Sequence, residues 1–474
     1  MFGTKGRLVA ALAAALVLAP AAHAGGPGMV IGATEDAVRS PTLVQAKAQM
    51  DLIALAGFRG VRITEIWKPG ATAVSPAETT ILRNVASAAK LDGITVITTV
   101  MNYGSATTPL SAGDQADFAS YAASVVTAVP ALREVIVGNE PNLNRYWLPQ
   151  FNPDGTDAAA PAYESLLAQT YDAVKAADPG VEVLGGAVSP RGSDNPSLTR
   201  QTHSPTGFIR DLGAAYRASG RTTPIMDAFA FHPYEDDSSV APFLGVHPNS
   251  TTIALADYSK LVALLGQAFD GTAQPGSTLP IVYDEFGVES QIPAAKQSLY
   301  TGTEPATTKP VPEQVQADYY RQAVQLAFCQ ANVQGLFLFH SVDETALASW
   351  QSGLYYADDT PKSSLPAVRT AMEQSRRGVV ARCPGMRLTV HPTVVQRRAN
   401  VALTCDLDCT YVAQLYRLPG KLLATRRGLA VGAKPTSLKL TVPSLPGNYR
   451  LRLTAVAPVN PGPAALKLVA LRPG

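Results

Sequence analysis

From about residue 28 to residue 378 the sequence repeats one beat, a short β-branched apolar run followed by a polar-capped segment with helical spacing. Apolar runs that alternate with helices are covered on both faces, so the beat predicts a parallel sheet. The runs are MVIGA (29–33), GVRIT (60–64), ITVITTV (94–100), EVIVG (134–138), VEVLGGA (181–187), DAFAF (227–231), PIVYDEF (280–286) and GLFLF (335–339). Between two of them lies PAYESLLAQTYDAVKAADPG, where Leu166, Leu167, Tyr171 and Val174 fall at helical spacing and Pro179 and Gly180 close the pattern. SLPAVRTAMEQSRRG is the last such segment. Eight strand-helix units predict a (β/α)₈ barrel. A doubly wound sheet usually carries a glycine-rich phosphate loop after its first strand, and here the first strand runs into ATEDA.

The flanks read differently. Lys5 and Arg7 precede the apolar run Leu8 to Leu18, and Ala22, His23 and Ala24 offer a small-x-small cleavage site, so residues 1–24 are expected to be a secretory signal. An anchor would need a longer apolar stretch than one interrupted by Pro20 and followed by Gly25, Gly26 and Pro27. The mature protein is expected outside the cell, free of the membrane, as a monomer. Loss of Lys5 and Arg7 takes the formal charge from +2 to 0, which leaves no positive excess for nucleic acid. Four cysteines in an exported chain suit disulfides; Cys405 and Cys409 in CDLDC are near enough to pair, which would leave Cys329 for Cys383. The barrel is expected over residues 25–383. Beyond it, over 384–474, alternating Val, Leu, Thr and Arg with Pro-Gly turns predict a small antiparallel β-sandwich. Its aromatic residues are Tyr411, Tyr416 and Tyr449, so a stabilising module is favoured over a carbohydrate-binding one.

A barrel of this kind builds its site at the carboxyl ends of the strands. The fourth strand ends in VGNEPNLNRYW and the seventh in IVYDEFG, placing Glu140 and Glu285 just past apolar runs. Strands four and seven face each other across an eight-stranded barrel, so both carboxyls can project to one point. Glycosidic cleavage needs one carboxylic acid to protonate the leaving oxygen and one carboxylate to attack or to activate water. One glutamate at a strand end is usually a solvated loop residue; two correctly placed are a much stronger signal. The acid has to be protonated and the nucleophile ionised, which calls for more donors around Glu285.

The N-E-P after strand four and the E-F-G after strand seven resemble the catalytic strand ends of glycoside hydrolase clan A, with NEPNLNRYW and YDAVKAADPGVEVLGG most similar to its family 39-like and family 5-like members. The resemblance spans most of residues 28–378. It implies a retaining β-glycosidase acting on a carbohydrate or glycoside, with Glu140 as acid/base, Glu285 as nucleophile and Asn139 bonded to the sugar 2-hydroxyl. It extends to Arg62, and to His232 and Tyr234 in FAFHPYE after strand six. Arg62 and Tyr234 can hold Glu285 ionised through charge-assisted contacts, and His232 can bond a substrate hydroxyl or Glu140. Clan members carry a tryptophan at the end of strand eight where this chain has His340. Either Trp350 replaces it from the following loop or the reactive subsite has another shape.

Sugars stack their C–H faces on aromatic rings. Trp67, Trp147 and Trp350 all follow expected strands, and Tyr103 and Tyr146 can extend the same surface. The candidate substrate-binding set is therefore Arg62, Trp67, Tyr103, Asn139, Trp147, His232, Tyr234, His340 and Trp350. Glu65, Asp284, Glu289, Asp343 and Glu344 are further acids near strand ends, and regular alternation turns Asp284 away from Glu285. The loop over 235–250 and the insertion from Ile292 to Pro312 are expected to shape the cleft. Six histidines, with His232 and His340 alone at expected strand ends, are few for a metal hydrolase, so no metal or organic cofactor is expected. A catalytically silent carbohydrate-binding barrel is the alternative, and it would not need both glutamates.

Overall fold

A computed structural model describes residues 25–379, 388–395, 398–405, 409–430, 435–441, 448–456 and 465–471. The expected signal, Cys383 and the expected boundary at 383/384 lie outside the described residues. Eight parallel strands, β1 (Val30–Thr34), β2 (Gly60–Trp67), β3 (Thr95–Asn102), β4 (Glu134–Val137), β5 (Glu182–Val188), β6 (Ala228–Phe231), β7 (Ile281–Phe286) and β8 (Val333–Phe339), close into a barrel in sequence order, β1 pairing with both β2 and β8. The helices are α1 (Leu43–Ala56), α2 (Pro76–Asp92), α3 (Ala112–Ala128), α4 (Ala159–Ala177), α5 (Pro205–Ala218), α6 (Tyr258–Phe269), α7 (Glu313–Phe328) and α8 (Leu365–Arg376).

The helix starts follow from local chemistry. The hydroxyls of Thr42, Ser75, Ser111 and Ser204 accept from the backbone N–H of Gln45, Glu78, Asp114 and Gly207, which satisfies donors the first turn leaves free. Gly57, at φ 101°, ends α1 in the left-handed conformation that costs glycine least.

Strand alternation then sorts two cores. Inward residues Ile97, Ile136, Leu184, Ala228, Ala230, Val282 and Phe337 fill the barrel. A Cβ at Gly32 would lie 2.3 Å from the Phe337 ring, so the large side chain on β8 is accommodated by a missing one on β1. Outward residues such as Val61, Ile63, Val135, Val137 and Ile281 pack under the helices. Each fully buried aliphatic side chain of this size contributes about 1.5–3 kcal/mol.

Beyond the barrel, β9 (Leu388–Val395), β10 (Arg398–Cys405) and β13 (Thr436–Thr441) form one antiparallel sheet, and β11 (Cys409–Arg417), β12 (Lys421–Ala430), β14 (Tyr449–Val456) and β15 (Ala465–Leu471) another. Their shared core includes Val401, Leu403, Leu415, Leu451 and Leu453. Tyr411 and Tyr449 are buried in it, and Tyr416 is half-buried. Cys405 and Cys409 form the local disulfide, and Cys329 is disulfide-bonded as well. Among the described residues no helix is long and apolar enough to cross a membrane.

Candidate active site

Beyond Val137 the chain leaves the sheet through Gly138 at φ 79° and Glu140 at φ 41°. A non-glycine residue in the left-handed region is uncommon and concentrates at functional sites. The Glu140 N–H donates to the Ala187 carbonyl at 2.8 Å, and Ala187 is itself at φ 47°, so the two unusual turns pin each other. Tyr163 on α4 braces the base of this turn: its hydroxyl donates to the Val137 carbonyl at 2.7 Å and accepts from the Gly186 N–H at 2.8 Å.

The Glu140 and Glu285 carboxylates meet at one imidazole. His232 Nδ1 is 3.1 Å from Glu140 Oε1 and 3.4 Å from Glu285 Oε2. Their surroundings differ beyond that shared contact. Arg62 Nη1 donates to Glu285 Oε1 at 2.7 Å, and the Tyr234 hydroxyl donates to Glu285 Oε2 at 3.0 Å. Arg62 also donates through Nη2 to Asn139 Oδ1 at 2.9 Å and through Nε to Thr99 Oγ1 at 2.7 Å. Because guanidinium has only donors, Asn139 must turn its oxygen to Arg62, which leaves its amide N–H₂ facing away.

Asp284 corrects the alternation argument. It does not turn away from the centre: its Oδ2 lies 3.2 Å from His232 Nε2 and 3.3 Å from Arg62 Nε. β7 loses regular register with β8 between Tyr283 and Phe286, so successive acids reach the same cluster. Burial by itself would neutralise His232, but the Glu285 and Asp284 charges, with hydrogen bonds to Asp284 and Glu140, push its pKa up to about 10. The same cations hold the Asp284 carboxyl below its ordinary range in spite of burial. Around neutral pH the centre therefore holds an imidazolium and a guanidinium beside an ionised Asp284. His232 is fully buried, so its role toward a substrate hydroxyl is set aside; it bonds the acids instead.

The aromatic candidates divide. Trp67 and Trp147 are 0% and 1% exposed, and neither presents a ring to solvent. Trp67 has the outward parity of Val61, Ile63 and Glu65, so it packs on Phe118 of α3, its Nε1–H donating to the Ala71 carbonyl at 2.9 Å. Trp147 stands edge-on to Tyr163 beneath the loop that carries Glu140. Trp350 does come to the centre from the loop after β8, stacked on Tyr234 with ring centroids 5.0 Å apart and edge-on to Phe339. His340 Nδ1 is 2.7 Å from the Thr34 carbonyl oxygen, which ties the ring to β1. Tyr103 is 74% exposed. Tyr146 is half-buried, and burial together with the Glu140 and Glu285 charges pushes its phenol up to about 12.

Three groups escaped the sequence reading. Thr99 shares the inward parity of Ile97, a signal that was there to use. Glu35 holds the start of the β8 loop, its Oε2 accepting from the Ser341 N–H and hydroxyl. Lys362, fully buried, donates to Ser290 Oγ, Asp343 Oδ1 and the Gln351 carbonyl, and Glu289 accepts from the Gln351 N–H. That clasp fixes the residue next to Trp350 and accounts for two of the extra acids; Glu344 caps the Trp350 N–H and Glu65 faces α3 through Tyr121. The two cleft-shaping loops touch, with the Ser238 N–H on the Thr308 carbonyl and Lys309 on Asp237. Among the described residues no group of three or more His, Cys, Asp or Glu is arranged to hold a metal ion.

No known protein family and no curated protein sequence matches the chain. Solved structures do. A glucosidase from Croceicoccus marinus aligns with a TM-score of 0.52 at 11% identity, over 88% of this chain and 94% of its own. GH5_18 from Streptomyces cattleya in complex with GlcNAc aligns with a TM-score of 0.50 at 16% identity, over 74% of this chain and 81% of its own. A variant of that protein in complex with Manb1-4GlcNAc gives 0.51 and 17%, over 73% and 81%. At these identities the likeness is one of fold.

Proposed function

We propose that the chain is an exported retaining β-glycoside hydrolase, with Glu285 as nucleophile and Glu140 as general acid/base. The observation that carries this is the convergence of two strand-end carboxylates on one imidazole with unequal donor sets. Distances of 3.1 and 3.4 Å from a single nitrogen bring both carboxyl groups to one site, as glycosidic cleavage by a carboxyl pair requires. The fold likeness to a protein described as a glucosidase and to GH5_18 complexes with sugar ligands agrees with it.

Each residue then has a task. Arg62 and Tyr234 occupy both oxygens of Glu285 and aim it at the anomeric carbon. Glu140 has His232 on Oε1, which leaves Oε2 to deliver a proton to the departing oxygen. Attack by Glu285 forms a covalent glycosyl-enzyme as the leaving group takes that proton. Glu140, now a carboxylate beside the imidazolium of His232, removes a proton from water, whose oxygen attacks the anomeric carbon and releases Glu285. The free amide N–H₂ of Asn139 is the donor suited to the sugar 2-hydroxyl, and Trp350 supplies the apolar floor. No step requires a metal or organic cofactor.

The test is a panel of aryl β- and α-glycosides given to the wild-type protein and to Glu140→Gln and Glu285→Gln. Turnover of a β-glycoside that disappears in Glu285→Gln supports the assignment; activity undiminished in both variants sinks it. A catalytically silent sugar-binding barrel predicts binding without turnover.

A further inference from the structure

The end of β8 brings a second imidazole to the carboxyl end of the barrel, distinct from the one that the two glutamates share. Phe339, the last residue of β8, keeps the inward parity of Phe337, which fills the barrel. Its ring stands edge-on to Trp350 at 5.3 Å and to Tyr234 at 6.5 Å between centroids, and Tyr234 is the residue whose hydroxyl donates to Glu285. The His340 ring lies against Phe339, with centroids 3.7 Å apart. His340 is therefore one ring away from Tyr234, half-buried, beside the end of β1.

Its contacts fix both the ring and its tautomer. Nδ1 is 2.7 Å from the Thr34 carbonyl oxygen, and a carbonyl only accepts, so Nδ1 carries the hydrogen. In the neutral imidazole Nε2 is then a lone-pair acceptor. Thr34 is itself anchored, its hydroxyl donating to the Asp284 carbonyl at 2.6 Å. The chain after His340 is pinned by Glu35 Oε2, which accepts from the Ser341 N–H at 3.2 Å, the Ser341 hydroxyl at 2.8 Å and the Val342 N–H at 3.2 Å. Among the described residues Nε2 has no hydrogen-bond partner, and it is not sealed from solvent. A rigidly held acceptor thus stands with its lone pair unused at the edge of an aromatic shelf beside Glu285.

An acceptor in that place recognises an O–H. It gives nothing to a carboxylate or a methyl ether, which have no hydrogen to donate. In the closed order of the barrel β8 lies across from β4, whose end carries Asn139 and Glu140. We infer that His340 is a specificity-determining residue, its Nε2 accepting from a hydroxyl on the part of the sugar ring away from the 2-hydroxyl and the leaving group, the 4- or 6-hydroxyl of a pyranose. The inference rests on the reaction proposed above, which sets the orientation of the sugar.

The test is calorimetric titration of Glu285→Gln, alone and combined with His340→Asn or His340→Gln, with 4-nitrophenyl β-glycosides of gluco, manno, xylo and galacto configuration and with the 2-, 4- and 6-deoxy forms of whichever binds tightest. The asparagine amide can donate to Thr34 from the place of Nδ1 but has nothing at the place of Nε2, whereas the glutamine amide sets an oxygen there. Removing the 4- or the 6-hydroxyl should weaken binding to the protein with His340 by roughly 3- to 10-fold, the effect of one hydrogen bond, and should cost His340→Asn nothing further; His340→Gln should regain part of the difference. Removing the 2-hydroxyl should weaken all three alike. Equal losses with His340 and with His340→Asn at every position, parent binding unchanged in His340→Asn, or no binding in any series would overturn the inference. Turnover by the wild-type protein is scored separately: binding of the expected pattern without turnover keeps the role of His340 and removes the hydrolytic reading, and turnover without that pattern removes the role of His340 alone.

Discussion

The barrel has a pair of neighbouring glutamates at each end, and they live in opposite conditions. At the carboxyl end Glu140 and Glu285 share His232, with Arg62 and Tyr234 on Glu285. At the amino end Glu134 and Glu182 line a hollow of about 160 Å³ floored by Val30, Ile97, Val282 and Phe337. There the hydrogen-bond donor is Gln334, 2.7 Å from Glu182, and Lys175 acts on Glu182 alone. Burial and the repulsion of Glu182 push Glu134 up to about 7. Proximity is thus common to both pairs; what differs is that Arg62 and His232 stand beside the upper pair, at the end where long loops follow the strands.

The sharpest way to break the comparison is to remove the nucleophile. Glu285→Gln should lower kcat by more than about 10⁴-fold, on the scale of losing a covalent nucleophile, whereas Glu134→Gln should leave kcat within a factor of two. Glu140→Gln should cost about 10²- to 10⁴-fold, less with aryl leaving groups that depart without a proton, read as the slope of rate against leaving-group pKa. Arg62→Met removes one of the two cations, with His232, that face the buried Asp284 and Glu285 and should lower stability by about 3–5 kcal/mol in denaturant titration, unlike any single change at the lower pair. The smallest effect sharpens the contrast through pH. Glu134 has a folded pKa raised above the usual carboxylate value, so the stability it contributes is full below about 4.5 and is lost as pH rises through about 7. Glu134→Gln should therefore be more stable than wild type at pH 8 by roughly 1–3 kcal/mol and no more stable at pH 4, as read from thermal midpoints.

Much of this was legible beforehand, for physical reasons that differ by element. Each expected strand lies within two residues of an observed one at its start, because β-branched runs covered on both faces leave a strong signal. Position at a strand end located Glu140 and Glu285, and parity alone would have found Thr99. Parity along β2, which the strand-end argument for Trp67 did not weigh, would have turned that ring outward with Val61 and Ile63, where it packs on Phe118. Asp284 was lost because a register irregularity between β7 and β8 has no sequence signature. Trp147 was lost because a loop residue buries its ring against Tyr163 of a distant helix, a tertiary contact that local pattern does not encode. The Lys362 clasp joins loops separated by tens of residues and is invisible for the same reason.

The central claim is that the pair at the carboxyl end reacts by double displacement. Proton NMR of the first sugar released from a β-glycoside substrate tests it most directly, because the anomeric signal appears before mutarotation mixes the forms. The account predicts that the β-anomer appears first and the α-anomer grows in later; initial release of the α-anomer would contradict it and reassign Glu285 from nucleophile to base.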